Sequence, residues 1–327
     1  MKDQEFQVLE QYDIDVDSTR KTRGAVLCET NKGLLLLQKL GTSQKRIPIL
    51  EQIHAHLREQ GYEHIDAMIR NRNDEIISEG EDGEHYILKQ WYPGRECDIR
   101  REDEILLGIR NLATLHTMLC GVDAQAMPCE DLISIYRRRN REMKKVRAFV
   151  RATVSKGEFE LLFLKNFDKM FDRAREITAR LEASDYDRLL QESRERNTFV
   201  HGEYNYHNLL ICSTGIATTN FEHFQQNLQV LDLYYFMRKT LEKNRWSQRI
   251  GYRMLEEYQK IMPLSEAEIK LLAICLAYPE KFWKVANSYY RSSKVWIPAK
   301  RVEKLETAIS QMEEKKRFLK QIFAFHF

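Results

Sequence analysis

The feature that most constrains the fold of this chain is the uneven distribution of strand and helix patterns along it. Short apolar segments at 24–30 and 33–40 flank a turn at Asn31–Lys32 and predict a β-hairpin. A helical pattern follows at 49–61 and stops at a glycine. Two or three more strands are expected from the segments AMIRN, IISEGEDG and HYILKQW, so strands are concentrated early in the chain.

The rest of the chain is mainly helical by pattern, because only 13 glycines and 6 prolines interrupt 327 residues. A Pro-Gly break in WYPGRECD, at 91–98, predicts a connector, and a polar loop with a hairpin is expected at 198–231. We therefore predict an α+β fold with a small strand-rich lobe at 1–90, a large helical lobe at 91–327, and a ligand-binding cleft between them. Helices are predicted at 101–119, 131–150, 157–181, 232–258, 265–277 and 302–323.

Composition narrows the class of protein. A hydrophobic content of 43% supports a packed core, and a net charge of +3 neither favours nor excludes a nucleic-acid partner. The six cysteines contain no CxxC pair, which argues against a zinc site or a disulfide framework and favours a reducing compartment. The charged N-terminus has no apolar core, so no signal peptide is expected and synthesis is placed in the cytoplasm. The longest apolar run, GLLLL, is too short to span a membrane.

Polar residues with chemical potential cluster around the hairpin at 198–222. Two short apolar strands, LLICS and GIATTNF, flank a turn, so the two ends of the hairpin lie side by side. This arrangement is expected to bring Glu203, Asn208, Asn220 and Glu222 together. Oxygen ligands on adjacent loops suit Mg²⁺, and phosphoryl transfer needs a metal, a cation on the phosphates and a carboxylate near the acceptor. Without further information, an ordinary polar turn explains the same residues.

The motifs of this region resemble those of a known superfamily. HGEYNYHN resembles the HGDxxxxN catalytic loop of aminoglycoside phosphotransferases and choline kinases, and NFEH stands where that group has its metal-binding acidic motif. Nearly the whole chain resembles the CotS-type spore coat proteins, a branch of this superfamily, in blocks such as TNKGLLLLQKL, YILKQWYPGREC, LATLH, DLYYFMRKTLEKNRW and YPEKFWKVANSYY. The resemblance implies a two-lobed protein-kinase-like fold, location in the spore coat and other coat proteins as partners.

The resemblance also implies roles for residues of the hairpin. Glu203 stands at the catalytic aspartate, and His201 in the same loop either holds the loop by hydrogen bonds or transfers a proton. Asn208 and Glu222 match metal-binding positions, whereas Asn220 stands where the superfamily has a metal-binding aspartate. If the protein is active, ATP and Mg²⁺ are the implied cofactors.

The strand LLLLQKL falls where the superfamily has a lysine on the nucleotide phosphates. Adjacent side chains of a strand point to opposite faces, so either Lys39 or Gln38 faces the nucleotide. Alignment of the motif favours Gln38, which would remove the cation. Glu51 on the following helix is the candidate partner for a lysine.

These departures from the family pattern weigh against efficient catalysis. Glutamate at 203 moves the carboxylate by about 1 Å, and displacement of that size costs roughly a hundredfold in rate. Asparagine at 220 removes a negative charge from the metal site. The leading hypothesis is a CotS-like spore coat protein with a degenerate phosphotransfer site that acts in coat assembly or binding. The alternative is an ATP- and Mg²⁺-dependent phosphotransferase acting on a small hydroxyl or amine metabolite.

Two other stretches are candidates for binding a ligand or partner. YRRRNREMKKVR at 136–147 is either a solvated helix face or a site for an anionic ligand, and the absence of RNA-binding aromatic motifs argues against specific nucleic-acid recognition. YPEKFWKVANSYYRSSKVW at 278–296 is rich in aromatic residues that pack in the core or contact a partner protein.

Overall fold

The computed structural model describes residues 3–22, 24–81, 83–124, 129–292 and 299–327. Contacts divide the chain into two compact units. The first comprises Met1–Met127 and Arg194–Phe236, and the second comprises Pro128–Ser193 and Met237–Phe327. The first unit contains the strands and the predicted hairpin, and the second is helical. The lobe boundary expected at residue 90 stays a prediction.

The strands of the described residues belong to three small sheets. They are β1 (Val16–Thr22), β2 (Ala25–Thr30), β3 (Gly33–Lys39), β4 (Met68–Ile69), β5 (Ile77–Glu79), β6 (His85–Gln90), β7 (Arg95–Glu96), β8 (Phe199–Val200), β9 (Leu209–Cys212), β10 (Gly215–Thr218) and β11 (Gln225–Gln226).

The helices follow the predicted order, but the helices predicted at 232–258 and 302–323 are each divided in two, and helices at 3–9, 186–195 and 280–290 are additional. They are α1 (Asp3–Leu9), α2 (Ile47–Glu59), α3 (Glu102–Met118), α4 (Leu132–Ala152), α5 (Glu158–Glu182), α6 (Tyr186–Glu195), α7 (Val230–Lys243), α8 (Gln248–Gln259), α9 (Glu266–Ala277), α10 (Glu280–Tyr290), α11 (Ala299–Ser310) and α12 (Met312–Phe323). The chain is therefore strand-rich early and helical later, as an α+β fold requires.

The main sheet positions one face of strands β3 and β6 for the candidate site. Its order is β1-β2-β3-β6-β4, with β5 also paired to β6. In the antiparallel β3–β6 pair, Leu36 lies opposite Lys89 and Gln38 lies opposite Ile87. Leu37 and its neighbours on the other face pack in a core cluster with helix α1. Because side chains alternate, Gln38 and Lys89 share the opposite face of the sheet.

A β-hairpin lies within the segment 198–231 of the first unit. Strands β9 and β10 pair in antiparallel register, from Cys212 opposite Gly215 to Leu209 opposite Thr218. At the open end, the backbone N–H of Thr219 donates to the backbone oxygen of Asn208 at 2.9 Å. The two polar ends of the hairpin therefore lie side by side, as the sequence predicts.

The second unit packs around the apolar helix α9. Its residues from Leu271 to Ala277 are all buried, and the helix begins with a reciprocal capping box between Ser265 and Glu268. The prediction of a single helix at 232–258 is wrong, because the chain forms two helices there, α7 and α8. Residues 245 and 246, between them, adopt positive φ angles of 49° and 54° that a helix cannot contain. No helix in the described ranges is long and apolar enough to cross a membrane.

The basic stretch of α4 is an ion-paired surface in the second unit. Arg137 Nε lies 2.8 Å from Glu182, and Arg138 and Arg139 pair with Glu130 and Glu280. Each of the three guanidinium groups therefore already has a carboxylate partner, which favours the interpretation as an ordinary helix face over an anion-binding site.

The aromatic stretch of α10 is mostly part of the packed interior. Tyr289 stacks on Phe159 with ring centroids 4.5 Å apart, and Trp283 donates from Nε1 to Glu142 at 2.7 Å. Tyr290 is 43% exposed, and Trp296 lies outside the described residues.

Candidate functional site

The loop between β8 and β9 is held from beneath by the carboxylate of Asp232, in the first turn of α7. The backbone N–H groups of His201 and Gly202 donate to it at 2.7 and 3.0 Å. His116 Nε2 lies 3.4 Å from the same carboxylate. Asp232 is 2% exposed, and hydrogen bonds from backbone amides to a buried carboxylate are among the stronger ones in proteins. One side chain therefore fixes the start of the loop.

His201 positions the loop with both nitrogens of its buried ring. Nδ1 accepts the backbone N–H of Glu203 at 3.2 Å, which leaves the proton on Nε2, and Nε2 donates to the backbone oxygen of Thr219 at 3.0 Å. Burial lowers the pKa of His201, so the neutral ring is favoured. Since both ring nitrogens are engaged by backbone groups of the protein, the contacts support the hydrogen-bonding role.

Gly202 is required by a close backbone approach. Its φ is +82°, and a Cβ at this position would lie 2.0 Å from the backbone oxygen of His223. No other residue type fits both conditions. The glycine therefore lets the loop pack directly against the turn at Phe221–His223.

Glu203 is the accessible carboxylate of the loop. Its side chain is 44% exposed, with Oε2 3.6 Å from Nε2 of His223. Its backbone oxygen accepts from the side-chain amides of Asn205 and Asn208 at 2.9 and 3.0 Å. The backbone is thus fixed while the carboxylate stays open to solvent, which is the arrangement that a base acting on a bound hydroxyl needs.

The two asparagines predicted as metal ligands bond to each other. Asn220 Nδ2 donates to Asn208 Oδ1 at 2.9 Å, and Asn208 Nδ2 is engaged by the backbone of Glu203. Asn220 has φ of 65°, a left-handed conformation that asparagine tolerates better than most residues. Of the four side chains that the sequence predicts to converge, these two meet, as a hydrogen-bonded pair.

Glu222 is directed at a buried lysine that the sequence analysis missed. Its Oε1 accepts from Lys89 Nζ and, at 2.8 Å, from Gln38 Nε2. Lys89 Nζ also lies 3.1 Å from Oδ2 of Asp66, and Lys89 and Asp66 are both 1% exposed in their side chains. Asp66 Oδ2 accepts the backbone N–H of Asn220 at 2.8 Å as well. Two carboxylates and one ammonium thus form a buried cluster, which we call the Lys89 cluster (Asp66, Lys89 and Glu222).

Burial and charge act in opposite directions within the Lys89 cluster. Burial raises the pKa of Asp66 to about 6, against the attraction of Lys89. Burial also disfavours the charged forms of Glu222 and Lys89, but attraction prevails. Lys89 lowers the pKa of Glu222, and Asp66 and Glu222 together raise the pKa of Lys89. The neighbouring His54 is driven by burial to a pKa of about 3 and is neutral.

The two other predicted nucleotide-side residues lie elsewhere. Lys39 Nζ is 3.8 Å from Glu84, and its side chain is 53% exposed. Glu51 lies 2.6 Å from Arg70 at the surface, so the expected pairing of Glu51 with a strand lysine is not formed. Gln38 is the β3 residue that faces the cluster, in agreement with the alignment that favoured it.

Lys89 and Asp66 were missed for identifiable reasons. Lys89 sits in the apolar strand β6, where a single lysine is typical of a solvent-facing position, and Asp66 lies in the connection before β4. The detectable signal was the period of the strand. Lys89 is two residues from the apolar Ile87 and therefore lies on the same face of β6, and Ile87 is fully buried, so the lysine also points inwards.

The fold and this loop arrangement define a protein of the kinase-like class to which aminoglycoside phosphotransferases belong. The solved aminoglycoside phosphotransferase of Alicyclobacillus acidocaldarius superposes with a TM-score of 0.85 at 18% identity, over 97% of this chain and 94% of that one. A spectinomycin phosphotransferase solved with ADP and spectinomycin gives a TM-score of 0.67 at 12% identity, over 95% and 97% of the two chains. The predicted protein-kinase-like fold is confirmed.

Sequence comparison identifies the branch. The family model described as "Spore coat putative kinase YutH" matches residues 5–322, and the chain belongs to this family. Spore coat protein S of Bacillus subtilis strain 168 is 24% identical over 328 residues, which cover 97% of this chain and 93% of that protein. The resemblance to CotS-type spore coat proteins is thereby confirmed.

The side chains expected to bind Mg²⁺ do not fit that ion. The Oδ1 atom of Asn208 accepts a hydrogen bond from Asn220, and Oε1 of Glu222 is engaged by an ammonium and an amide. Mg²⁺ needs carboxylate oxygens that are not already neutralised. Among the residues that the structure describes, no group of three or more His, Cys, Asp or Glu side chains is placed to hold a metal ion.

Proposed function

We propose that this protein acts in the spore coat as a binding or assembly component, with a kinase-like site that no longer transfers phosphate efficiently. Membership of a spore coat family and similarity to a spore coat protein support the location. The observation that carries the functional part is the engagement of Glu222 by Lys89. The ammonium of Lys89 already neutralises the carboxylate of Glu222, which a metal-dependent kinase site would need as a ligand.

Electrostatics supports this reading of the site. Breaking a buried ion pair by removing one partner costs about 3–5 kcal/mol, because the other charge is left uncompensated. A metal ion competing for Glu222 would have to displace Lys89, whose side chain is 1% exposed. The resulting penalty of several kcal/mol would weaken binding of the ion by orders of magnitude.

The residues at the position expected to contact nucleotide phosphates also support the proposal of inefficient phosphate transfer. Gln38 places a neutral amide where the superfamily has a lysine, and Lys39 is turned to the other face of the sheet. A nucleotide remains a proposed ligand, because a structural neighbour was solved with ADP. We expect any ATP to bind without dependence on Mg²⁺.

Calorimetric titration of ATP, with and without Mg²⁺, tests the proposal together with an ATP turnover assay over amino and hydroxyl acceptors. We expect weak or no ATP binding, the same with and without the ion, and no turnover above background. Tight Mg²⁺-dependent binding with acceptor-dependent turnover would contradict it.

The assembly role is tested in spores of a host whose own copy of the gene is deleted. The Glu203→Gln variant removes the only catalytic carboxylate proposed for the loop, and Glu84→Gln, at a surface carboxylate with 56% exposure, is the matched control. We expect both variants to enter the coat and restore its composition as the wild type does. Failure of Glu203→Gln alone would point to catalysis.

A small-molecule phosphotransferase is the second candidate, and the exposed carboxylate of Glu203 is the observation that favours it. Its backbone is fixed by Asn205, Asn208 and His201, so the carboxylate is positioned to accept a proton from a bound hydroxyl. In that case Glu203→Gln would abolish turnover and leave nucleotide affinity unchanged. Retained turnover in this variant would remove Glu203 from the mechanism.

A further inference from the structure

Lys89 is the only side chain of its cluster that carries positive charge, and it arrives from an unexpected strand. Gln38 lies opposite Ile87, so Lys89 on β6 is its diagonal neighbour on the same face of the sheet. The β3 position thus loses a cation, and the adjacent strand supplies one a short distance away. Its ammonium is placed between Asp66 and Glu222.

One ammonium already offsets one of the two carboxylate charges of the cluster without any ion. Two carboxylates face one ammonium, and Asp66 also accepts the backbone N–H of Asn220. A divalent cation entering beside Lys89 would place like charges next to each other in a buried site, where water screens them poorly. Removal of the ammonium would leave two buried carboxylates, the charge that a divalent cation neutralises.

Unpartnered polar atoms around the cluster add donors that an ion could use. Within the described part of the chain, Oδ1 of Asp66 and both ring nitrogens of His54 are buried without a hydrogen-bond partner. The His54 ring packs edge-on against Phe221, with centroids 5.3 Å apart, next to Glu222. Carboxylate oxygens are ligands for Mn²⁺ and related divalent ions, so the free Oδ1 of Asp66 is available to such an ion.

We propose that the ammonium of Lys89 is the resident cation of this site, occupying the role of a metal ion between Asp66 and Glu222 and excluding divalent cations from it. This inference rests on the proposed function, because it assigns the cause of the lost metal dependence to one residue. On this proposal, removal of the Lys89 ammonium is sufficient to create a binding site for a divalent cation, because the ligands are already present.

The test compares Mn²⁺ binding by the wild type, Lys89→Met and Lys39→Met, measured by electron paramagnetic resonance of free Mn²⁺ and by calorimetry. Lys39→Met is the matched control, because it removes a lysine whose side chain is 53% exposed, on the opposite face of the same sheet. We expect Lys89→Met to bind Mn²⁺ at least about a hundredfold more tightly than the other two proteins, since a buried like charge has been removed. Equal affinity in all three proteins would overturn the proposal.

Thermal unfolding supplies a second readout, because Lys89→Met leaves two uncompensated buried carboxylates. We expect Mn²⁺ to raise the melting temperature of this variant and to leave that of Lys39→Met unchanged. If Lys89→Met does not fold, the double variant Lys89→Met with Asp66→Asn carries one buried negative charge fewer. We expect it to fold and to bind Mn²⁺ at least about tenfold more tightly than the wild type. No gain in the double variant would overturn the proposal.

The outcome is separable from that of the proposed function. Mg²⁺-dependent phosphotransfer by the wild type would contradict the loss of catalysis. Absence of a Mn²⁺ gain in the Lys89 variants, with an inactive wild type, would contradict the role of Lys89 alone.

Discussion

A lysine buried in the second unit gives a quantitative test of the structure. Lys315 on α12 is 5% exposed, and its Nζ donates to the backbone oxygen of Tyr278 at 2.7 Å. It lines a cavity of about 20 Å³, room for no more than about one water molecule. Burial lowers the pKa of Lys315 from 10.5 to about 7. The free energy of unfolding should therefore depend on pH through this group.

The sign follows from proton binding. Between pH 7 and 10.5 the unfolded chain holds a proton on Lys315 that the folded chain releases, so the free energy of unfolding rises with pH across this window. The full difference is about 5 kcal/mol, at about 1.36 kcal/mol per pKa unit, and it opposes folding at pH 6. By pH 10 about 1 kcal/mol of it remains.

Lys315→Met removes the ammonium and keeps a side chain of similar length. It also leaves the backbone oxygen of Tyr278 without this donor, which costs about 1–3 kcal/mol. We therefore expect the variant to be about 2–4 kcal/mol more stable than the wild type at pH 6, and equal to or up to about 2 kcal/mol less stable at pH 10. Lys316→Met, an exposed position on the same helix, is the matched control and should change stability by less than about 0.5 kcal/mol at either pH.

Urea unfolding at pH 6, 8 and 10 measures the effect, followed by the fluorescence of Trp246, whose ring lies 5.0 Å from Lys315 Nζ. The diagnostic quantity is the change with pH in the difference between variant and wild type. A difference that stays constant from pH 6 to 10, or a variant less stable than the wild type at pH 6, would refute the burial of a neutral lysine.

Three further substitutions test other contacts. Gly202→Ala should lower the free energy of unfolding by at least about 2 kcal/mol, as measured by urea unfolding. Gly61 has a similar positive φ but open space around it, so Gly61→Ala should cost only about 1 kcal/mol. Equal losses in the two variants would refute the close approach of Gly202 to His223. Asp232→Asn should lose about 1.5–3 kcal/mol of stability in the same assay, because two backbone donors lose a charged acceptor, and a neutral result would contradict its role under the loop. Arg139→Met should lower the melting temperature more than Arg137→Met does. The Arg139 side chain is 18% exposed and its partner Glu280 is buried, whereas the Arg137 side chain is 58% exposed. The reverse order would contradict the buried pairing of Arg139.

The early strands and the site hairpin could be predicted because they follow strong local patterns. Apolar runs separated by turn residues gave β2, β3, β9 and β10 close to their observed bounds. Strand β1 was missed because its sequence, VDSTRKT, is polar and forms by pairing with β2 rather than by burial. Helix α6 was missed for a related reason: its ten residues have few apolar positions.

The chemistry of the site could be predicted only where motif and chain neighbours coincide. Glu203, Asn208, Asn220 and Glu222 all lie within one hairpin, so their proximity followed from a single turn. The Lys89 cluster joins residues from a connection, a strand and the hairpin, and no local pattern encodes contacts separated by 133 positions along the chain. Glu51 was predicted to pair with a strand lysine because of its place in the following helix, but it pairs with Arg70 at the surface instead.

The hydrogen-bonded amides of Asn208 and Asn220 bear on how this branch can evolve. Restoring aspartate at 220 alone would set a carboxylate against the Oδ1 acceptor of Asn208, and Asn208 cannot turn its amide without releasing the backbone of Glu203. Aspartate at 220 would therefore be disfavoured on the present background. A metal-binding arrangement of this hairpin would need substitutions at positions 208 and 220 together, so the two positions are epistatically coupled.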